Sequence, residues 1–352
     1  MNQSEQALYK HFKDMEDDSY NFQLLDVRIE DNTPKSLEYE DISDLLGDSF
    51  SEALNASKYN YKNKSCTVFM FGRTDTGKSI TVHVHDFRPF LFFRKNDFES
   101  KNQLLNEIVE EVNRQEDKSF NKIKTNHLEI HDVSVKHAYG FEPNDDNTDS
   151  RFYEYYKIFF PDKKSWNAIS KKENKSYISQ KAHEKNVDII TRFFNETDIS
   201  PLWVTVSAEQ VYDKVSTSTI EVECSYKYVK QAKKNGFSKL RIGYWDIETF
   251  GLETSYPICT IGVTVKTYGE ERTKYVLQVG ETSDIDGRIV ISCQDEKDLL
   301  KQFRDLILKL DLDGIVTYNG TNFDEDFVYE RATILNVEEF FYCSRFAFKK
   351  CF

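Results

Sequence analysis

The chain has 352 residues, of which 39% are hydrophobic, 14% aromatic and 30% charged, and its formal net charge is −13. The length allows two domains with a sizeable core, while the acidic balance excludes a general nucleic-acid coat, which needs a broad basic surface. No run of about 18 apolar residues occurs, so no membrane span is expected, and the polar, acidic start MNQSEQALYKHFKDMEDDSY is not expected to be a secretory signal. Cys66, Cys224, Cys259, Cys293, Cys343 and Cys351 form no C-x-x-C pair. They read as reduced, structural thiols of an intracellular protein.

In chain order, residues 21–30 (NFQLLDVRIE) alternate as a strand. Residues 36–60 read as loop, with short helices in SLEYEDISDLL and SFSEALNASK. Thr67 to Phe71 is an apolar β-rich run. Asp75-Thr76-Gly77-Lys78 signals a turn, and Ile80, Val82 and Val84 then alternate with Thr81, His83 and His85. A third short run follows Pro89. Leu104, Leu105, Ile108, Val109 and Val112 are spaced as the apolar face of a helix over 97–114. Residues 126–160 return to β patterning around a loop, FEPNDDNTDS. Helices are expected over 163–195 and strands over 201–223.

A second domain is expected to begin near Lys239, dividing the chain into 1–238 and 239–352. RIGYWDIETF, YPICTIGVTVKTYG and RTKYVLQVG read as three antiparallel strands. CQDEKDLLKQFRDLILKL is an amphipathic helix with Leu299, Leu300, Phe303, Leu306, Ile307 and Leu310 on one face and Asp295 as N-cap. DGIVTYNG reads as a short buried strand and FDEDFVYERATIL as a helix. The order β-β-β-α-β-α matches a ribonuclease-H-like sheet, and the chain as a whole reads as α/β (α+β).

Gly72 to Ser79 fits G-x-x-x-x-G-K-[ST] letter for letter, which alone would suggest a nucleotide-binding loop. That function needs a helix whose N-terminus faces the phosphates. The residues that follow, Ile80 to His85, are β-branched and alternating, so a strand-to-strand turn is expected instead. His83 and His85 share one strand face, but with no cysteine cluster nearby a zinc site is not expected.

The acids of Asp246-Ile247-Glu248-Thr249 carry the chemistry. Two residues apart on a strand, Asp246 and Glu248 leave the same face, and paired carboxylates suit Mg²⁺ or Mn²⁺. Acids two apart also occur at Glu38/Glu40, Glu221/Glu223, Asp284/Asp286 and Asp311/Asp313, so the pair alone is a weak signal. The second motif is Tyr318-Asn319-Gly320-Thr321-Asn322-Phe323-Asp324, which sets an acid at the start of a helix. Alone, Asp324 reads as an N-cap.

Together, DIET and YNGTNFD resemble the first two exonuclease motifs of family B DNA polymerases, D-x-E and N-x-x-x-F-D. FGRTDTGKSITVHVHDFRPF resembles the β-structured N-terminal domain of that family, and TYNGTNFDEDFVYERA is similar to the forms of large DNA viruses and eukaryotes. The resemblance spans roughly residues 60–100 and 200–352. It implies an N-terminal polymerase domain followed by an incomplete ribonuclease-H-like 3′-5′ exonuclease domain. It implies Asp246, Glu248 and Asp324 as catalytic ligands of two Mg²⁺ or Mn²⁺ ions, with Thr249 and Phe250 on the terminal nucleotide. Asn319 and Phe323 would position its base or sugar and orient Asp324. The implied partners are the single-stranded 3′ end of DNA, a primer-template and a processivity factor, in the nucleus or at a viral replication site. Lys227, Lys230, Lys233, Lys234, Lys239 and Arg241 form the densest basic stretch before the first motif, read either as phosphate contacts or as a solvated face.

The family's third motif, Y-x-x-x-D, does not occur between Asp324 and Phe352, and the palm signature D-T-D is absent. A truncated product or a split polymerase with a separate C-terminal half is therefore expected, poorly soluble alone because a partial sheet exposes an apolar edge. A non-catalytic scaffold that binds DNA or a partner is the alternative of a different class.

Overall fold

The structure is a computed structural model that describes residues 19–31, 66–115, 122–135, 153–210, 215–320, 323–346 and 350. The expected short helices within 36–60 and the loop at 141–150 lie outside the described residues. In chain order the first eleven strands are β1 (Ser19–Asp31), β2 (Cys66–Thr74), β3 (Ser79–His85), β4 (Phe90–Arg94), β5 (Glu129–Val135), β6 (Tyr153–Phe159), β7 (Ala182–His183), β8 (Trp203–Ser207), β9 (Glu209–Gln210), β10 (Ile220–Ser225) and β11 (Val229–Gln231). Helices α1 (Lys101–Gln115), α2 (Lys163–Ser170), α3 (Tyr177–Lys181) and α4 (Ile189–Thr197) are interspersed among them.

These strands form a seven-stranded sheet, β11-β8-β1-β2-β3-β10-β9, and a four-stranded sheet, β5-β6-β4-β7. Both sheets and the helices share one apolar core that includes Phe22, Met70, Val82, Phe93, Ile108 and Phe193. The turn between β2 and β3 joins antiparallel neighbours, with Gly72 opposite Ile80. The phosphate-loop string is thus a hairpin followed by a wholly buried strand, with no helix to face a phosphate. Gly72 serves packing: a Cβ there would stand 2.5 Å from the Gln23 carbonyl oxygen on β1. His83 and His85 point from β3 to Glu221 and Glu223 on the parallel neighbour β10, at 2.7 and 2.8 Å.

The later residues build a five-stranded sheet, in the order β15-β14-β13-β12-β16. Its strands are β12 (Arg241–Thr249), β13 (Ile258–Thr267), β14 (Arg272–Val279), β15 (Ile289–Cys293) and β16 (Gly314–Val316). β12, β13 and β14 run antiparallel, and β16 lies parallel to β12. Helix α5 (Glu296–Leu310) lies between β15 and β16 in the chain, and α6 (Asp324–Ile334) follows β16. A separate core gathers Trp245, Ile247, Ile261, Leu277, Leu299, Phe303, Phe327 and Phe340. Asp295 caps α5 as expected, accepting from the Asp298 amide at 2.9 Å.

Two expectations need correction. The order is β-β-β-β-α-β-α, because Ile289–Cys293 adds a fourth strand, parallel to β14, at the far edge. Its four leading residues lie on an exposed to half-buried edge, so no strong apolar alternation marked it. The strand expected in DGIVTYNG is short and not buried. Ile315 and Val316 are 39% and 45% exposed, because β16 is the sheet's last strand among the described residues.

Between the two cores, Arg73 of the hairpin reaches Asp311 and Asp313, just past α5. Arg345 binds the same two acids, through 3.0 and 2.6 Å contacts. Nearby, Phe346 packs with Phe69, Phe71 and Val215, and Ser216 pairs with Phe346 in an antiparallel bridge. The Walker-like string therefore contributes an arginine to packing between the sheets.

Candidate active site

The alternation of β12 decides which side chains reach solvent. Gly243, Trp245 and Ile247 are buried, whereas Tyr244, Asp246 and Glu248 are exposed on the opposite face. Trp245 stacks at an angle on Phe303 of α5, with ring centroids 5.1 Å apart, so the apolar face is pinned to the core. The acids are thereby turned outward by the packing of their neighbours.

Asp324 arrives from the other side. It is the first residue of α6, after Phe323 at the cap position, and no side-chain cap bond forms there. The expected N-cap role is therefore replaced. The Asp324 carboxyl is buried and directed at β12, where it meets the Asp246 carboxyl and accepts from the Ile247 backbone N–H. Burial first, and the negative charge of Asp246 second, push the Asp324 carboxyl above its ordinary value, against the pull of the Ile247 N–H. Its Oδ1 is buried with no hydrogen-bond partner.

The structure thus brings Asp246 and Asp324 together. Glu248 stands on the same strand face, two residues along, but the three do not close into one group. Among the described residues no cluster of three or more Asp, Glu, His or Cys side chains is tight enough to hold a metal ion. The donor set nevertheless fits a divalent cation. A buried carboxylate oxygen without a partner, beside a second carboxylate, is a site that a cation would satisfy in both charge and valence.

The remaining expected residues fall into two groups. Thr249 donates to the Gly251 carbonyl at 2.6 Å, and Phe250 is 72% exposed, so the loop after β12 presents an aromatic side chain beside the acids. Phe323 faces the other way, packing at 5.5 Å on Phe327 and against the core. Asn319 adopts φ 61°, the left-handed turn that Asn tolerates, between β16 and α6. Both thus shape the turn that delivers Asp324. Thr321 and Asn322 lie outside the described residues.

Sequence reasoning missed two further features. Glu296 and Arg331, 35 residues apart and both nearly buried, form an ion pair that accepts the Ile258 amide at 2.8 Å and donates to the Thr254 carbonyl at 3.1 Å. They clip the loop 250–257 to both helices, and no local pattern links them. Cys259 is the extra residue where the register of β12 and β13 shifts, and its thiol donates to the Glu248 carbonyl at 3.1 Å. The Lys-rich stretch, by contrast, ends where β12 begins. It therefore lies at the opposite end of the strand from the acids.

Residues 180–351 match the family described as DNA polymerase family B, exonuclease domain. The chain is 26% identical over 291 residues to the DNA polymerase delta catalytic subunit of Plasmodium falciparum, covering 76% of the chain and 26% of that protein. It is 25% identical over 349 residues to the delta catalytic subunit of Candida albicans, covering 90% of the chain and 31% of that protein. A 92-residue stretch, 25% of the chain and 8% of the relative, is 38% identical to a DNA polymerase of Pyramimonas orientalis virus. Among solved structures, the family B DNA polymerase of Pyrobaculum calidifontis is similar in fold, with TM-score 0.53 and 16% identity over 90% of this chain and 32% of that one. The chain thus spans about a quarter to a third of the length of the delta catalytic subunits named here.

Proposed function

We propose, from the match of residues 180–351 to the family B DNA polymerase exonuclease domain, that this chain contributes 3′-5′ proofreading hydrolysis to DNA replication. The observation that carries the reading is the buried Asp324 carboxyl, set against that of Asp246 and with its Oδ1 unpartnered. Asp246, Glu248 and Asp324 would hold two Mg²⁺ or Mn²⁺ ions. When bound, such a pair supplies Lewis acidity at phosphorus and a water of lowered pKa.

The chain's own residues then do the positioning. Asp246 and Asp324 present carboxylate oxygens from two elements locked to one core. Glu248 adds a third from the same strand face. Thr249, the last residue of β12, and Phe250, in the loop beyond, contact the terminal nucleotide. Asn319 and Phe323 hold the turn that aims Asp324. Selection of mismatched ends follows from fraying, since a mispaired terminus unstacks at lower cost and enters a single-strand site more often. On this reading, residues 1–238 form an N-terminal polymerase domain and 239–352 the nuclease domain. The partners are the 3′ end of a primer-template, the remaining polymerase portion and a processivity factor, in the nucleus or at a viral replication site.

Single-turnover digestion of a 3′-labelled single strand in Mg²⁺ or Mn²⁺, with and without a supplied polymerase portion, tests this. Release of deoxynucleoside monophosphates that disappears in Asp246→Ala supports the reading. Absence of cleavage in every combination, with the chain folded, would leave the scaffold alternative.

A further inference from the structure

The acids leave one cationic surface unexplained. Between Glu223 and Asp246 the chain holds Lys227, Lys230, Lys233, Lys234, Lys239 and Arg241 and no Asp or Glu, although acids outnumber Lys and Arg by 60 to 47 overall. Lys230 lies on β11, the edge strand of the seven-stranded sheet. The following loop is fixed on Trp203, whose indole N–H donates to the Gly236 carbonyl at 2.8 Å while the Lys234 ammonium sits 4.5 Å above its ring. Lys234 pairs with Asp75 and Lys239 with Glu270. Lys227, Lys230 and Lys233 are exposed and make no ion pair among the described residues.

Phe237 emerges from this loop 63% exposed, and it meets Tyr268, 58% exposed, edge-on with centroids 5.9 Å apart. The pair is built in advance. The Ser238 amide donates to the Gln23 side chain at 2.9 Å, and the Tyr268 amide donates to the Leu240 carbonyl at 2.8 Å. Two aromatic rings held in water, with Phe237 four residues after the exposed Lys233 in a stretch without acids, combine apolar faces with positive charge. That combination matches a single strand of nucleic acid, whose unpaired bases stack on rings while its phosphates meet ammonium groups. A duplex offers the charge but hides its base faces.

We propose that Phe237 and Tyr268, with Lys230 and Lys233, hold a single strand of DNA on a surface separate from the acidic site. Tyr268 lies six residues along from Gly262, the register partner of Asp246. At the rise of an extended strand that is roughly 20 Å from the acids. The surface would hold a strand away from the hydrolysed end. In naming DNA as the ligand, the inference rests on the nuclease reading above.

The test is fluorescence anisotropy of fluorescein-labelled oligo(dT) with the full chain in EDTA, across a series of NaCl concentrations. The variants are Phe237→Ala/Tyr268→Ala and Lys230→Gln/Lys233→Gln, all exposed positions at which the melting temperature should not change. The aromatic double variant should bind about tenfold or more weakly. The lysine double variant should lower the salt slope by about 1.4, near 0.7 per phosphate. A blunt duplex should bind more weakly and ignore the aromatic change. Wild-type affinity and slope in both double variants overturn the proposal and leave the surface to an acidic protein. Equal losses for single strand and duplex overturn the stacking role. If oligo(dT) binding responds as expected but no cleavage is found with metal, either with or without a supplied polymerase portion, the nuclease reading fails and the surface stands. If cleavage is found but neither double variant changes binding, the surface fails and the nuclease reading stands.

Discussion

The Arg331 guanidinium grips both carboxylate oxygens of Glu296, joining the latter half of α6 to the first turn of α5. Arg331 lies seven residues after Asp324, two helical turns along the same face. Its third contact, to the Thr254 carbonyl, ties down the loop that carries Phe250. One ion pair therefore connects the elements that present the acids with the loop that follows them.

Arg331→Met deprives the Glu296 carboxylate and the Thr254 carbonyl of the guanidinium, while the Ile258 amide keeps Glu296 as its acceptor. We expect a loss of about 3–5 kcal/mol in unfolding free energy, the cost of orphaning one member of a buried pair. Urea denaturation measures it. The double replacement Glu296→Met/Arg331→Met should recover part of this loss, and a double variant no more stable than Arg331→Met would contradict the ion-pair account.

The contact between Asp246 and Asp324 carries a pH signature in metal-free protein. The Asp324 carboxyl is raised in the folded state, so folding favours its protonated form. Its contribution is complete at pH below its unfolded value and is lost as pH rises through the folded one. Asp246→Asn should therefore raise the melting temperature of metal-free protein at pH 7, with a gain that shrinks toward pH 3. The same variant should lose most of the stabilisation that Mn²⁺ gives the wild type. Melting curves in EDTA and in Mn²⁺ across that range provide the check.

Arg73 and Lys78 belong to one phosphate-loop string and should behave oppositely. The Arg73 side chain is 1% exposed and binds Asp313, whose side chain is equally buried. Arg73→Met should cost about 1.5–3 kcal/mol, since Asp313 loses one charged hydrogen-bond partner but keeps Arg345. The Lys78 side chain is exposed at the hairpin turn, so Lys78→Ala should stay within about 0.5 kcal/mol of wild type. ATP binding that vanishes in Lys78→Ala would contradict the hairpin reading.

Thiol chemistry reports on the site edge. Burial pushes the Cys224 thiol up to about 12 and the Cys293 thiol to about 11, so both stay protonated at pH 8. Cys259 is half-buried beside the Glu248 carbonyl. Iodoacetamide at pH 8 should label Cys259 at least about tenfold faster than Cys224 or Cys293 by peptide mass mapping, because those two are buried and held protonated. The bulk added there should reduce cleavage of a single strand.

Much of this protein was readable from local pattern. Period-two alternation placed β3 and β12, and it put Asp246 and Glu248 on one face because neighbouring side chains on a strand must point to opposite sides. Helical spacing and an N-cap acid located α5 to within a few residues. Gly72 and Lys78 could be separated from a true phosphate loop because β-branched residues follow them. Strand β15 escaped notice because its position was set by pairing with β14 rather than by its own apolar pattern.

Convergence in space was decided by the tertiary structure alone. That Asp324 meets Asp246 while Glu248 stands apart depends on how α6 docks on β12, through contacts such as Glu296–Arg331 that are far apart in the chain. The same holds for Arg73, whose partners lie about 240 residues on. A chain encodes its strands and turns through short-range sterics and side-chain period. Which distant charges share a buried space is settled only when the cores close, because solvation and pairing then depend on every element that packs around them.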